Sequence, residues 1–151
     1  MPPGDERHIL HRRAVERCVR VMHRRGLGVE RIRHPGGVDL SIGPGLSCAV
    51  RAARPRAHRH HITVGGRRYC YTYGLEFWNL HQHGKRTAAP DIWLLVGASA
   101  VYVVPAHELA GRLTYSLLVG AAHRNRPARV RQYADRWDVI ERALGRIKRA
   151  A

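Results

Sequence analysis

Between residues 5 and 25 the apolar positions Ile9, Val15, Cys18, Val19 and Met22 recur three and four apart. That is one face of an amphipathic helix, with Asp5 as its N-cap and Gly26 as the residue that ends it. The opposite face carries Arg12, Arg13, Arg17, Arg20, Arg24 and Arg25, relieved only by Glu16. After the turn signal His34-Pro35-Gly36-Gly37, residues 38–42 alternate as a strand does. Gly43-Pro44-Gly45 then makes a tight turn into a second strand over 46–52. Residues 62–64 and 67–73 flank Gly65-Gly66, a two-residue loop of the kind that closes a hairpin through a type I′ or II′ turn. Two apolar runs, 91–96 and 100–104, read as buried central strands, and a short helix is expected after Pro105. Residues 113–119 fit strand or helix equally. Tyr133, Trp137, Ile140, Leu144 and Ile147 fall at steps of four and three, the stripe of a terminal amphipathic helix. The order helix, strands, helix predicts a mixed α/β layer fold, one sheet with helices against it.

Length and composition add a charge problem to this outline. The 151 residues suit one domain spanning 1–151, and 44% hydrophobic with 25% charged residues are ordinary globular values. The balance of sign is not ordinary, because 27 basic residues face 11 acids, for a net charge of +16. All the basic residues but Lys85 and Lys148 are arginine. A GC-rich genome accounts for arginine over lysine, but not for the excess itself. A compact body that repels itself this strongly is most easily tolerated beside a polyanion, and nucleic acid is the commonest one. An anionic membrane is the weaker candidate, since no cluster of basic residues lies on an otherwise apolar amphipathic helix and no apolar run nears ~20 residues. Cys18, Cys48 and Cys70 are odd in number and unpaired in spacing, which argues against a disulfide framework. With no apolar leader at the N-terminus, the expected setting is the cytoplasm of a prokaryote or of a phage-infected cell.

The segment Gly37-Val38-Asp39-Leu40-Ser41-Ile42, a short turn, then Ala49-Val50-Arg51-Ala52-Ala53-Arg54-Pro55 resembles the core of the PD-(D/E)xK nuclease superfamily. A helix precedes the aspartate. Phe77-Trp78-Asn79-Leu80-His81-Gln82-His83-Gly84, Asp91–Val96 and Val101–Pro105 look like the later core strands of small homing or restriction-type members. The resemblance covers roughly residues 15–105. It implies an α/β, restriction-endonuclease-like mixed β-sheet core flanked by an N-terminal and a C-terminal helix. It also implies a DNA partner, Mg²⁺ as the cofactor of any active form, and pairing into a homodimer as such folds often do. The departures from the pattern are equally specific. Asp39 matches the first carboxylate, whereas Ala49 stands where the second acid belongs and Arg51 where the lysine belongs.

Those departures define the candidate site. Carboxylates hold Mg²⁺, which polarises the phosphate while a positioned water attacks. Asp39 alone is a thin ligand set. Glu76 is the best substitute acid, giving Asp39 and Glu76 as metal ligands and Asp39, Arg51 and Glu76 as the catalytic set. The plainer reading of Glu76, and of Glu16 on the first helix, is a salt-bridge partner. Arg51 can clamp a phosphate but cannot act as a base, because its pKa lies above ~12. Asp91 is expected to hydrogen-bond backbone at the start of its strand. His58, His60, His61, His81 and His83 lack the frame of a zinc site.

The phosphate track is expected along Arg51, Arg54, Arg56, Arg59, His61, Arg67 and Arg68, with a second cluster at Arg124 and Arg126 continuing to Arg129 and Arg131. Tyr69, Tyr71 and Tyr73 alternate on the hairpin, as stacking platforms or, more plainly, as a packed face. Three functions fit these features: a DNA-binding protein on a nuclease fold with cleavage impaired or lost, an active Mg²⁺-dependent endonuclease with a migrated acid, or an RNA-binding protein of a ribonucleoprotein scaffold.

Overall fold

The computed structural model describes residues 3–32, 38–56, 60–71, 74–77, 80, 90–112, 115–118 and 129–150. Helix α1 (Pro3–Arg24) begins two residues before the expected cap. Proline is tolerated in a first helical turn because its missing N–H has no intrahelical partner there. Asp5 and Glu6 then lie in that first turn, where the helix dipole favours carboxylates. The helix ends as the sequence predicts. Gly26 takes φ +74°, its N–H donates to His23 C=O at 3.0 Å, and Leu27 N–H donates to Met22 C=O at 3.0 Å. These paired bonds form a Schellman cap.

Strands β1 (Val29–Arg31), β2 (Leu40–Ile42), β3 (Leu46–Ala52), β8 (Ile92–Val96) and β9 (Val101–Pro105) form one sheet in the order β1-β2-β3-β8-β9. Only β3 and β8 run parallel, so the sheet is mixed. The excursion between them carries β4 (Arg54–Arg56), β5 (His60–Val64), β6 (Arg67–Tyr71) and β7 (Gly74–Phe77). Strands β5 and β6 pair as the predicted hairpin, and φ of +59° and +79° at Gly65 and Gly66 gives the type I′ turn. The segment whose pattern fits strand or helix equally contains a strand, β10 (Tyr115–Leu118), which pairs with β7. β4 lies on the other side of β7, and Pro55 is accommodated because β4 is an edge.

The sheet separates two apolar clusters. On one face Val15, Cys18 and Met22 of α1 and Ile140 and Leu144 of α2 (Asp138–Ala150) pack on Leu40, Ile42, Cys48, Val50, Leu94 and Val103. On the other, Ala49, Trp93, Leu95 and Val104 meet Leu75 and Phe77 of β7 and Leu109 of the 3₁₀ turn Ala106–Leu109. The apolar run of β8 is buried at all five positions because both faces are covered. No helix among the described residues is long and apolar enough to cross a membrane.

The terminal stripe does not form a single helix. Tyr133 belongs to a 3₁₀ segment, Arg129–Tyr133, and α2 starts only at Asp138. Asp135 causes the break: at φ +51° it leaves helical space, and its Oδ1 accepts Val101 N–H at 3.0 Å. The segment thereby closes the outer edge of β9, where Tyr102 and Ala134 form a bridge.

Burial pushes the Cys18 thiol up to about 12 and raises that of Cys48 further, so neither forms appreciable thiolate in the folded protein. Both thiols are expected to resist a thiol-directed reagent at mildly alkaline pH until denaturant is added. Gly43 turns β2 into β3 at φ +56°, and a Cβ there would lie 3.0 Å from Leu144 Cδ2. Gly43→Ala should cost about 1–3 kcal/mol from backbone strain and displacement of Leu144. Denaturant melts should show a lower midpoint with an unchanged slope.

Candidate nucleic-acid interface and the Asp39 cluster

Asp39 immediately precedes β2 and is fixed through its backbone on both sides. Its N–H donates to Cys48 C=O and its C=O accepts Ile32 N–H, each at 2.9 Å. Its carboxylate is only 18% exposed and receives three donors. Oδ2 accepts Val50 N–H at 2.7 Å and Arg51 Nη1 at 3.3 Å, and Oδ1 pairs with His11 Nε2 at 2.8 Å. One carboxylate therefore ties α1, β2 and β3 together.

Strand alternation explains why Arg51 reaches it. Leu46, Cys48 and Val50 pack toward the helices, so Ala49 and Arg51 project to the opposite face. Arg51 is 15% exposed, lies 5.1 Å over the Trp93 ring and also donates to Val50 C=O at 2.8 Å. Desolvation lowers its pKa and Asp39 opposes that shift. Arginine still keeps its charge at neutral pH, so the guanidinium is a fixed internal cation. Ala49, directly paired with Trp93, is fully buried in the second apolar cluster.

The donor set around Asp39 does not suit Mg²⁺. Both carboxylate oxygens are already hydrogen-bonded, a guanidinium lies where a cation would approach, and the neighbouring strand offers Ala49 rather than a second acid. Magnesium prefers oxygen ligands in near-octahedral array. No group of three His, Cys, Asp or Glu able to hold a metal occurs among the described residues. Glu76 lies in β7, between Arg54 of β4 and Ser116 of β10, and its side chain is outside the described residues. Glu16 is on an exposed position of α1. Asp91 does what its place at a strand start predicts: Oδ2 accepts Ser47 N–H at 2.9 Å and Ser47 Oγ at 3.1 Å.

The expected phosphate track divides. Arg51 is committed inside the fold, Arg54 is half-buried on β4, and Arg67 is exposed beside the hairpin turn. Arg56, His61 and Arg68 contribute backbone to β4, β5 and β6, while their side chains lie outside the described residues, as do Arg59, Arg124 and Arg126 altogether. The exposed charge seen most clearly is on α1, where Arg7, Arg12, Arg13, Arg20 and Arg24 face solvent. Two residues of the site escape a reading of the sequence. His11 lies one helical turn before Val15 on the buried stripe, and a polar residue at such a position is the one signal that marks it. Trp93 reads as ordinary core.

The backbone is similar to that of the bacterial homing endonuclease I-Ssp6803I, with a TM-score of 0.70 over 95% of this chain and 97% of that one. Sequence identity is 15%, so the likeness establishes a shared fold. No protein-family model matches the sequence, and no curated protein is significantly similar to it.

Asp39→Ala strands a largely buried guanidinium and should destabilise the protein by about 2–4 kcal/mol, while His11→Ala, at an exposed edge, should cost about 1 kcal/mol. A double-mutant cycle of Asp39→Ala with Arg51→Met measures the coupling. Independent, additive losses would show that the pair does not act as a unit.

Proposed function

We propose that this chain is a DNA-binding protein of the PD-(D/E)xK endonuclease-like fold in which phosphodiester cleavage is impaired or lost. The observation that carries this reading is the occupancy of Asp39 by three protein donors, one of them the cation at the position of the superfamily's lysine. A metal ion and Arg51 would compete for the same oxygen. Without a resident ion, nothing in the described site lowers the pKa of an attacking water, and Arg51 cannot accept its proton.

Holding the backbone needs none of that chemistry. The net charge of +16 and the exposed arginines of α1 and of the β5–β6 hairpin support counterion-releasing contacts with phosphates. The shared fold with a homing endonuclease favours DNA over RNA as the polyanion.

Affinity for duplex DNA should fall linearly on a log–log plot as salt rises, with a slope of about 0.9 per phosphate neutralised, and Arg67→Ala should reduce that slope by roughly one contact. Chelation should leave affinity unchanged. Supercoiled plasmid incubated with Mg²⁺ or Mn²⁺ should stay intact. Nicking that disappears in Asp39→Ala would overturn the loss of cleavage, and its disappearance in Glu76→Gln as well would establish the migrated acid. Tighter binding to structured RNA than to duplex DNA at matched salt would move the assignment to an RNA-binding protein.

A further inference from the structure

Beside the Asp39 cluster, the carboxyl ends of β3 and β8 and the first half of α1 enclose a crevice of about 250 Å³. Its walls are apolar, from Ala14, Ala53, Leu75 and Val96, and among the described residues no acidic one lines it. Two arginines do: Arg13 is exposed, and Arg17 is anchored by a 2.7 Å bond from Nη1 to Gly97 C=O. Leu10 also lines the crevice. At 46% exposure it is the large hydrophobic side chain left open to solvent among the described residues. A single exposed leucine is ordinary on its own. Here it sits at the opening of an apolar cavity rimmed by cations, one segment away from the buried Arg51.

We infer that this crevice receives a nucleobase turned out of the bound DNA strand, with Leu10 against its face and Arg13 on the adjoining phosphate. The inference rests on the DNA-binding reading above. A base has two apolar faces and is tied to a phosphate by a few bonds, which matches a cavity with apolar walls and a basic rim. An apolar wedge that replaces stacking contacts is a known physical means of lowering the cost of unstacking. A free apolar ligand would find no use for the arginines. An acidic small molecule would find no polar side chain to orient it among the described walls other than Arg13 and Arg17, which are Leu, Ala, Val and Gly.

The test uses the full chain and a duplex carrying 2-aminopurine at several mismatches, where unstacking costs least. Binding of the native protein should raise 2-aminopurine fluorescence several-fold. Ala98 is exposed at the crevice wall, so Ala98→Phe fills the space without disturbing the core. It should still bind the duplex in a salt-dependent manner while the fluorescence rise is lost, and Leu10→Ser should reduce the rise at unchanged melting temperature. Tight, salt-sensitive binding with no rise, or a rise undiminished in Ala98→Phe, would overturn the crevice assignment and leave DNA binding standing. Absence of any binding at low salt would overturn DNA binding itself, and the crevice reading with it.

Discussion

The ion pair between Asp39 and Arg51 is the constraint on which the site and much of the surrounding packing depend. A guanidinium pressed over Trp93 at the end of β3 is stabilised by the carboxylate that neutralises it. The carboxylate, in turn, is tolerable because Val50 N–H and His11 complete its hydrogen bonding. The partners come from α1 and from β3, on either side of Asp39 at the start of β2, so the cluster fixes how α1 lies across the β2–β3 hairpin. Its position also explains Ala49. With Trp93 paired directly opposite and Phe77 and Leu75 packed in the same cluster, an acid at that position would place a second negative charge in an apolar setting. Ala49 and Arg51 therefore answer to one constraint: a positive charge is held inside the protein beside Asp39, and the apolar cluster next to it accommodates no second charge.

That internal balance sets the site apart from the rest of the charge. Among the described residues, exposed arginines stand where water screens them, along the outer side of α1 and beside the hairpin turn. Some of them pair with nearby acids. Arg25 bonds Glu141 at 3.0 Å across the two helices, and Arg136 grips Asp138 through two bonds of 2.8 and 3.0 Å, holding that carboxyl down near 2. Exposed pairs of this kind contribute little stability. With 11 acids in the whole chain, most of the surplus has no internal partner to find, and it stays available as an electrostatic surface.

Local signals in the sequence were faithful wherever one element determines its own shape. The Gly26 cap, the Gly65-Gly66 turn and the alternation of β2 each arise from a few neighbouring residues, and the structure has them at those positions. The terminal stripe failed at Tyr133 because the break depends on Asp135 bonding Val101, a contact across the fold that periodicity cannot register. The site was legible to the same extent. Asp39 and Arg51 are picked out by the resemblance of one hairpin to a nuclease motif. His11 comes from a separate helix and Trp93 from a strand beyond a long excursion, so their meeting is a product of topology. Arginine at a strand end also reads as a surface residue, and only the sheet covering that face reveals that Arg51 is buried.

The parallel pair at the centre of the sheet gives a reason why these features gather at one end. Among the described strands β3 and β8 are the only neighbours that run in the same direction, so both chains leave the sheet at Ala52 and Val96. Beyond those residues the two paths diverge: Ala53 holds the ladder one step further by donating to Val96 C=O at 2.9 Å, and the chain then turns away into β4. A gap opens between the departing strands, as it does at the carboxyl ends of parallel strands generally. Helix α1 spans that gap with His11 toward Asp39 and with Arg13 and Arg17 toward the crevice. Burying Arg51 removed a cation from the strand end, but the helix supplies others at the mouth of the same opening. The cations at that opening come from the helix and not from the strand, so the surface charge there does not depend on the Asp39–Arg51 pair.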